Sequence, residues 1–145
     1  MSELPRRIVS RLRRLIGNRR RNKRARVQLE FSLSLTDPRL ESNGSRRIAS
    51  LKGHTLDVSA NGIALIVPAI RIGEHYLVAD NRPVYLKLEL PGGSVELSVL
   101  PVRYESLEED AEDTGYLIGG KITEISEVDR DRFLGYVKSL LAQQG

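Results

Sequence analysis

Two short motifs carry the residue types best suited to binding an anionic ligand. The first is an arginine-rich segment in which Arg20 and Arg24 are four residues apart. The second is a polar turn inside an apolar run, and it contains Asp57, Ser59 and Gly62. Guanidinium groups form paired hydrogen bonds with phosphates and base edges, while the turn adds a carboxylate, a hydroxyl and an uncovered backbone. The motifs together predict a ligand-binding site built from two separate segments.

The remaining polar residues lack the spacing of an enzyme or a metal site. The chain has no cysteine, which excludes disulfides, thiolate metal ligands and cysteine nucleophiles. His54 and His75 show no metal-ligand spacing, and the acidic loop over residues 105–114 lacks the regular pattern of a calcium loop. No phosphate-binding glycine loop and no nucleophile elbow is present. We therefore expect no catalytic activity, no metal and no cofactor.

Charge is distributed unevenly along the 145 residues, whose net charge is +4. Residues 1–26 contain eleven Lys and Arg and one acid, a net charge of +10. Residues 27–145 contain twelve Lys and Arg and eighteen acids, a net charge of −6. A basic arm on an acidic body predicts an anionic partner near the N-terminus. On charge alone, that partner is a nucleic acid, a membrane surface or a small molecule.

The basic arm contains a predicted amphipathic helix over residues 6–16. One face is aliphatic, and the rest of the surface carries five arginines. Such a short helix is marginal in isolation, so we expect it to dock on the domain, a protein partner or an anionic membrane surface. The longest apolar run, Ile63–Val67, is far too short to span a membrane, and a secretory signal pattern is missing. We expect a cytoplasmic protein, placed at the inner face of the membrane if this helix binds lipid.

From Val27 onward, alternating apolar and polar residues predict strands. The predicted strands are 27–35, a segment ending in the Asp57 motif, 63–67, 84–90, 95–104 and 115–122. Residues 36–52 read as an exposed connection, in which 46–51 pair as an edge. Turns are expected at Asn61-Gly62, where both residues tolerate a positive φ, and at residues 91–93. A helix over 127–143 closes the chain, with Ser126 and Asp129 as its capping box.

These elements predict a mainly β fold, a six- or seven-stranded antiparallel barrel with a C-terminal helix and a short basic N-terminal helix. Residues 1–17 form the basic helical arm. Residues 18–145 form the barrel with its closing helix.

The motifs resemble those of the PilZ domain family. The family's R-x-x-x-R motif before the first strand is matched by Arg20 and Arg24, and its D/N-x-S-x-x-G motif at a hairpin is matched by Asp57, Ser59 and Gly62. The residues from 99 to the closing helix also follow the family's pattern, so the resemblance covers about 18–142. Further candidates for the roles of the arginine pair are Arg19, Arg21 and Arg26.

The resemblance implies a PilZ-like split barrel that binds cyclic di-GMP, a bacterial second messenger. Arg20 and Arg24 would then bind a guanine edge and a phosphate. Asp57 would accept hydrogen bonds from the guanine N1–H and amino group, and Ser59 would bond a phosphate or base edge. Gly62 would let a purine approach the backbone. A purely structural role for the turn stays open, because Asp and Ser side chains often bond their own turn backbone.

Two other functions remain as alternatives. One is a degenerate PilZ-fold adaptor that acts through protein partners without a ligand. The other is nucleic-acid binding by the basic arm, which is disfavoured because no cluster of stacking aromatics accompanies it. For the receptor reading, we expect ligand capture to order residues 17–26 against the barrel. The helix over 6–16 would then be repositioned toward a downstream protein or a membrane.

Overall fold

The structure is a computed structural model that describes residues 23–37, 49–79, 81–107 and 115–144. The predicted helix over residues 6–16, the candidates Arg19, Arg20 and Arg21, and most of the acidic loop lie outside the described residues. The described parts form nine strands and one helix: β1 (Ala25–Arg26), β2 (Glu30–Ser34), β3 (Ser50–Val58), β4 (Gly62–Val67), β5 (Arg71–Ile72), β6 (His75–Tyr76), β7 (Val84–Leu90), β8 (Gly93–Ser106), β9 (Tyr116–Ile125) and α1 (Glu127–Gln144).

Six of these strands close into an antiparallel barrel. Hydrogen-bonded neighbours follow the order β3-β2-β7-β8-β9-β4, and β4 pairs back with β3. β1 is an additional strand, which pairs with β3 beyond the residues that β2 occupies. β5 and β6 form a separate two-stranded sheet. Within the described residues, the predicted antiparallel barrel with a C-terminal helix is confirmed.

The core follows from the period-two pattern of the strands. In β7, Val84, Leu86 and Leu88 point into the barrel, and the residues between them face outward. The closing helix contributes Phe133 and Val137, which are buried in the same core cluster. Burial of these side chains fastens α1 to the barrel, because each removes a large apolar surface from water.

Several strand boundaries differ from those predicted. β3 begins at Ser50, within the predicted connection, because Ser50 and Leu51 pair with β2. These two residues belong to the edge predicted over 46–51, so the described part of that edge does pair as a strand. β8 and β9 extend further, to Ser106 and Ile125, because they pair with each other along most of their length. Polar side chains on their outer face obscure this extension in the sequence pattern.

The strand predicted over residues 27–35 is shorter, and a separate short strand, β1, precedes it. β1 ends at Arg26 and β2 begins at Glu30. Between them the hydroxyl of Thr55 accepts a hydrogen bond from the backbone N–H of Leu29 at 2.9 Å and donates one to the carbonyl of Val27. The Thr55 side chain on β3 thus replaces part of the backbone hydrogen-bond ladder between the strands. β1 and β2 pair with different stretches of β3.

Only one half of the predicted capping box forms at the start of α1. The hydroxyl of Ser126 accepts a hydrogen bond from the backbone N–H of Asp129 at 3.2 Å, as an N-cap residue should. The Asp129 carboxylate instead accepts from the backbone N–H of Glu96 on β8 at 2.9 Å. The first turn of α1 is therefore bonded to the barrel. In the described part of the chain, no helix has the length and apolar character needed to cross a membrane.

Candidate functional site

The two sequence motifs meet where β1 runs beside the end of β3. The register places Ala25 opposite Val58 and Arg26 opposite Asp57. Ala25 and Val58 are fully buried in the core. Because successive side chains of a strand point to opposite faces, Arg24, Arg26 and Asp57 lie together on the outer face. The fold thereby brings described members of both motifs onto one surface.

Arg24 and Asp57 form an ion pair across the two motifs. Nη1 of Arg24 donates to Oδ1 of Asp57 at 3.2 Å, and their side chains are only 14% and 13% exposed. Nε of Arg24 is buried and has no hydrogen-bond partner among the described residues. Since a guanidinium carries five N–H donors, Arg24 keeps donors beyond the one that Asp57 uses. Nε of Arg24 is thus a buried donor that the described residues leave without a partner.

Ser59 has a structural place in the turn between β3 and β4. Its hydroxyl accepts from the backbone N–H of Gly62 at 3.0 Å and donates to the Gly62 carbonyl at 3.3 Å. Its backbone N–H also donates to that carbonyl, at 2.9 Å. The residue is 2% exposed. The buried hydroxyl therefore stabilises the turn by bonding both backbone groups of Gly62.

The predicted hairpin at Asn61-Gly62 forms, but the conformational reason given for it is wrong. Among the described residues, positive φ angles occur at Gly73, Asn81, Gly93 and Gly115 and not in this turn. A Cβ at Gly62 would make a tight contact of 3.3 Å with the carbonyl oxygen of Gly120 on β9 and an ordinary one of 3.5 Å with Oγ of Ser59. The glycine allows β4 to lie close to β9.

Two residues outside both motifs also hold β1 in place. Thr55, only 1% exposed, bonds the backbone just after β1. Gln144, the last residue of α1, accepts from the backbone N–H of Arg26 at 3.0 Å and donates to its carbonyl at 2.8 Å. Sequence reasoning missed both. An isolated threonine in a strand and a glutamine at a helix end carry no signal that would single them out.

The two histidines lie outside this surface. His54 is on β3, opposite Glu30 of β2, and burial lowers its pKa from 6.5 while Glu30 opposes that shift. His75 is exposed on β6. The described ranges contain no group of three or more His, Cys, Asp or Glu side chains that could hold a metal ion.

Solved structures with the same fold include ligand complexes. The PilZ domain with c-di-GMP of YcgR from Escherichia coli has a TM-score of 0.61 at 12% identity, over 87% of this chain and 94% of that one. The K. pneumoniae MrkH–c-di-GMP complex has a TM-score of 0.60 at 15% identity, over 87% of this chain and 53% of that one. The Bacillus subtilis inhibitor of motility (MotI/DgrA) has a TM-score of 0.59 at 15% identity, over 88% and 53%.

This chain thus spans about half the length of the motility inhibitor and of MrkH. At such identities these likenesses establish the fold. No curated protein sequence matches the chain at a significant level. The sequence pattern that describes the PilZ domain, however, matches residues 18–139. Because that match covers most of the 145 residues, the chain belongs to the PilZ domain family.

Proposed function

We propose that this chain is a non-catalytic receptor that binds cyclic di-GMP on the outer face of β1 and β3. The observation that carries the proposal is the 3.2 Å contact between Arg24 and Asp57, which joins the two motifs at one surface. Family membership supports it, as do the c-di-GMP complexes of YcgR and MrkH, which share the fold.

The described side chains divide into those that contact the ligand and those that shape its site. Arg24 and Arg26 supply cationic donors for a phosphate or a guanine edge, together with Arg20 from the family motif. Asp57 accepts from the adjacent N1–H and 2-amino group of guanine, a pair of donors that adenine does not have. Ser59 and Gly62 hold the turn in shape, because the buried hydroxyl bonds Gly62. This differs from the direct ligand contact expected of Ser59 from sequence.

The relay begins at the arginine segment. β1 already pairs with β3, so cyclic di-GMP draws against the barrel the part of residues 17–26 that precedes β1. The basic segment over residues 6–16 changes position with it. A downstream protein or an anionic membrane surface then gains or loses access to that segment. The strong positive charge of residues 1–26 supports an anionic target for it.

Isothermal titration of the purified chain with cyclic di-GMP tests the proposal, and cyclic di-AMP is the matched control ligand. We expect low-micromolar or tighter binding of the guanine ligand, with a measured stoichiometry, and far weaker binding of the adenine ligand. Equal affinity for the two ligands would contradict the role of Asp57.

A ligand-independent adaptor is the second candidate, favoured by one observation. Arg24 and Asp57 already neutralise each other, and the Ser59 hydroxyl is satisfied within the turn. Charges that neutralise each other, beside a turn that bonds itself, can persist for packing alone. Absence of binding heat and of a thermal shift at high cyclic di-GMP concentration would favour this adaptor and direct the search to protein partners of residues 6–16.

A further inference from the structure

We infer that Gln144 is a positioning residue for ligand binding, because it holds the strand that carries the arginines. The inference rests on the proposed function, since it concerns affinity at the same surface. Gln144 is the final residue of α1, and its amide bonds both backbone groups of Arg26. A residue 118 positions away in sequence thereby reaches the candidate site.

The geometry is that of a strand edge completed by a side chain. Oε1 of Gln144 accepts from the Arg26 N–H at 3.0 Å, and Nε2 donates to the Arg26 carbonyl at 2.8 Å. A primary amide offers the same donor and acceptor pair as a neighbouring strand. Gln144 therefore caps the edge of β1 that faces away from β3, where the backbone would otherwise bond water.

The direction of these bonds shows which type of pair Arg26 forms with Asp57. Both backbone groups of Arg26 point toward Gln144, so Arg26 and Asp57 form a non-hydrogen-bonded pair in the β1–β3 ladder. In such pairs the Cα atoms are closest and the side chains lie nearest each other. Turning β1 away from this register would separate Arg26, and with it Arg24, from Asp57.

α1 is suited to act as a brace because its other end is fixed to the barrel. Asp129 accepts from the Glu96 N–H at 2.9 Å, and Arg132 donates to the Ser94 carbonyl at 2.9 Å. Phe133 is buried in the core between these ends. β1 itself pairs with β3 over only two residues. A strand so short depends on its second edge, and α1 provides that contact.

Titration of cyclic di-GMP into four versions of the 145-residue chain tests the inference: the wild type, Gln144→Ala, Gln144→Glu and Gln143→Ala. Gln143 is the matched control, because it is the preceding exposed glutamine of the same helix turn. We expect Gln144→Ala to weaken binding roughly 3- to 10-fold, the effect of losing one net hydrogen bond. Gln143→Ala should bind within twofold of the wild type. Gln144→Glu keeps an acceptor for the Arg26 N–H and should lie between.

Amide hydrogen exchange and urea unfolding separate positioning from general stability. The Arg26 amide should exchange faster in Gln144→Ala than in Gln143→Ala, while the two unfold at similar urea concentrations. Equal affinity of Gln144→Ala and Gln143→Ala, or equal Arg26 exchange, would overturn the inference while leaving the receptor function intact. A wild type that binds no cyclic di-GMP would overturn the proposed function and this inference together.

Discussion

At the scale of single residues, the ion pair between Arg24 and Asp57 matters for geometry more than for stability. Both side chains are largely removed from water, and the cost of desolvating two charges offsets much of their attraction. Removing one partner leaves the other charge in a poorly solvated place. The pair therefore holds a guanidinium at a defined position beside a carboxylate, which is useful for a ligand that presents both acceptors and donors.

Arg24→Ala and Asp57→Ala should each weaken cyclic di-GMP binding by about 1–3 kcal/mol, because each loses a bidentate or charge-assisted contact. Asp57→Ala should in addition reduce the preference for guanine over adenine rings. Isothermal titration with both cyclic dinucleotides measures these effects. Arg82→Ala is the control, because Arg82 is exposed and lies outside both motifs. Unchanged affinity in both motif variants would mean that the motif assignment is wrong.

His54 should make folding stability depend on pH. Burial lowers its folded pKa from 6.5, so the unfolded chain takes up the proton first as pH falls. The free energy of unfolding should therefore decrease below pH 6.5, until the folded histidine also becomes protonated. Urea unfolding between about pH 7.5 and pH 5 measures the slope, in a range where carboxylates contribute little. His54→Gln should reduce the slope of unfolding free energy against pH, and His75→Gln should not. A slope in His54→Gln equal to that of the wild type would show that His54 is not its source.

At the scale of elements, the connection of β1 to β2 depends on Thr55. Thr55→Val keeps the shape of the side chain but leaves the N–H of Leu29 and the carbonyl of Val27 without this partner. We expect a loss of about 1–3 kcal/mol in unfolding free energy, because buried polar groups lose their hydrogen bond. Binding of cyclic di-GMP should also weaken, because β1 carries the arginines. Urea unfolding and titration measure the two effects.

Thr123→Val is the control for this substitution, because Thr123 is an exposed residue of β9. It should change both quantities little. Equal unfolding free energies for Thr55→Val and Thr123→Val would contradict the prediction. They would show that water bonds the Leu29 N–H and the Val27 carbonyl as well as the Thr55 hydroxyl does.

Packing between strands leaves no room for a side chain at Gly53 of β3. A Cβ at Gly53 would overlap the carbonyl oxygen of Ile66 and lie 2.9 Å from Cζ of Phe31. Gly53→Ala should lower the free energy of unfolding by about 1–3 kcal/mol, as overpacking does. Gly135 in α1 has open space around it, so Gly135→Ala should raise that free energy by about 0.5–1 kcal/mol. Chemical denaturation measures the free energy of unfolding of both variants. Equal values for Gly53→Ala and Gly135→Ala would contradict the packing argument.

At the scale of the whole molecule, the opposite charges of residues 1–26 and 27–145 favour a relay in which the basic segment binds an anionic membrane. Residues 1–26 carry +10 and the remainder −6. Flotation with vesicles of anionic lipid should show binding that changes when cyclic di-GMP is added. Deletion of residues 1–17 should abolish this binding while the barrel still binds the ligand. Neutral vesicles are the control, and flotation that ignores both the ligand and the deletion would exclude a membrane relay.

Much of this architecture is local and could be predicted. The period-two alternation in β2 and β7 and the apolar stripe of α1 determine which faces are buried, because each strand or helix can bury only one such face. Arg24, Asp57, Ser59 and Gly62 were instead identified from two short motifs and from the family that these motifs resemble. The ligand contacts of all these residues stay predictions, and so does the role of Arg20, which lies outside the described residues.

Local sequence patterns were therefore enough to identify most strands, the closing helix, the two motifs and the family that the motifs resemble. The folded chain was needed to see that Ser59 faces inward, that Gly62 lies close to β9, and that Thr55 and Gln144 bond the backbone of β1 and of the residues after it. These are contacts between segments distant in sequence, and they depend on the register in which the barrel closes. A local pattern encodes which face of a strand is buried, but it does not encode which backbone groups a distant side chain will meet.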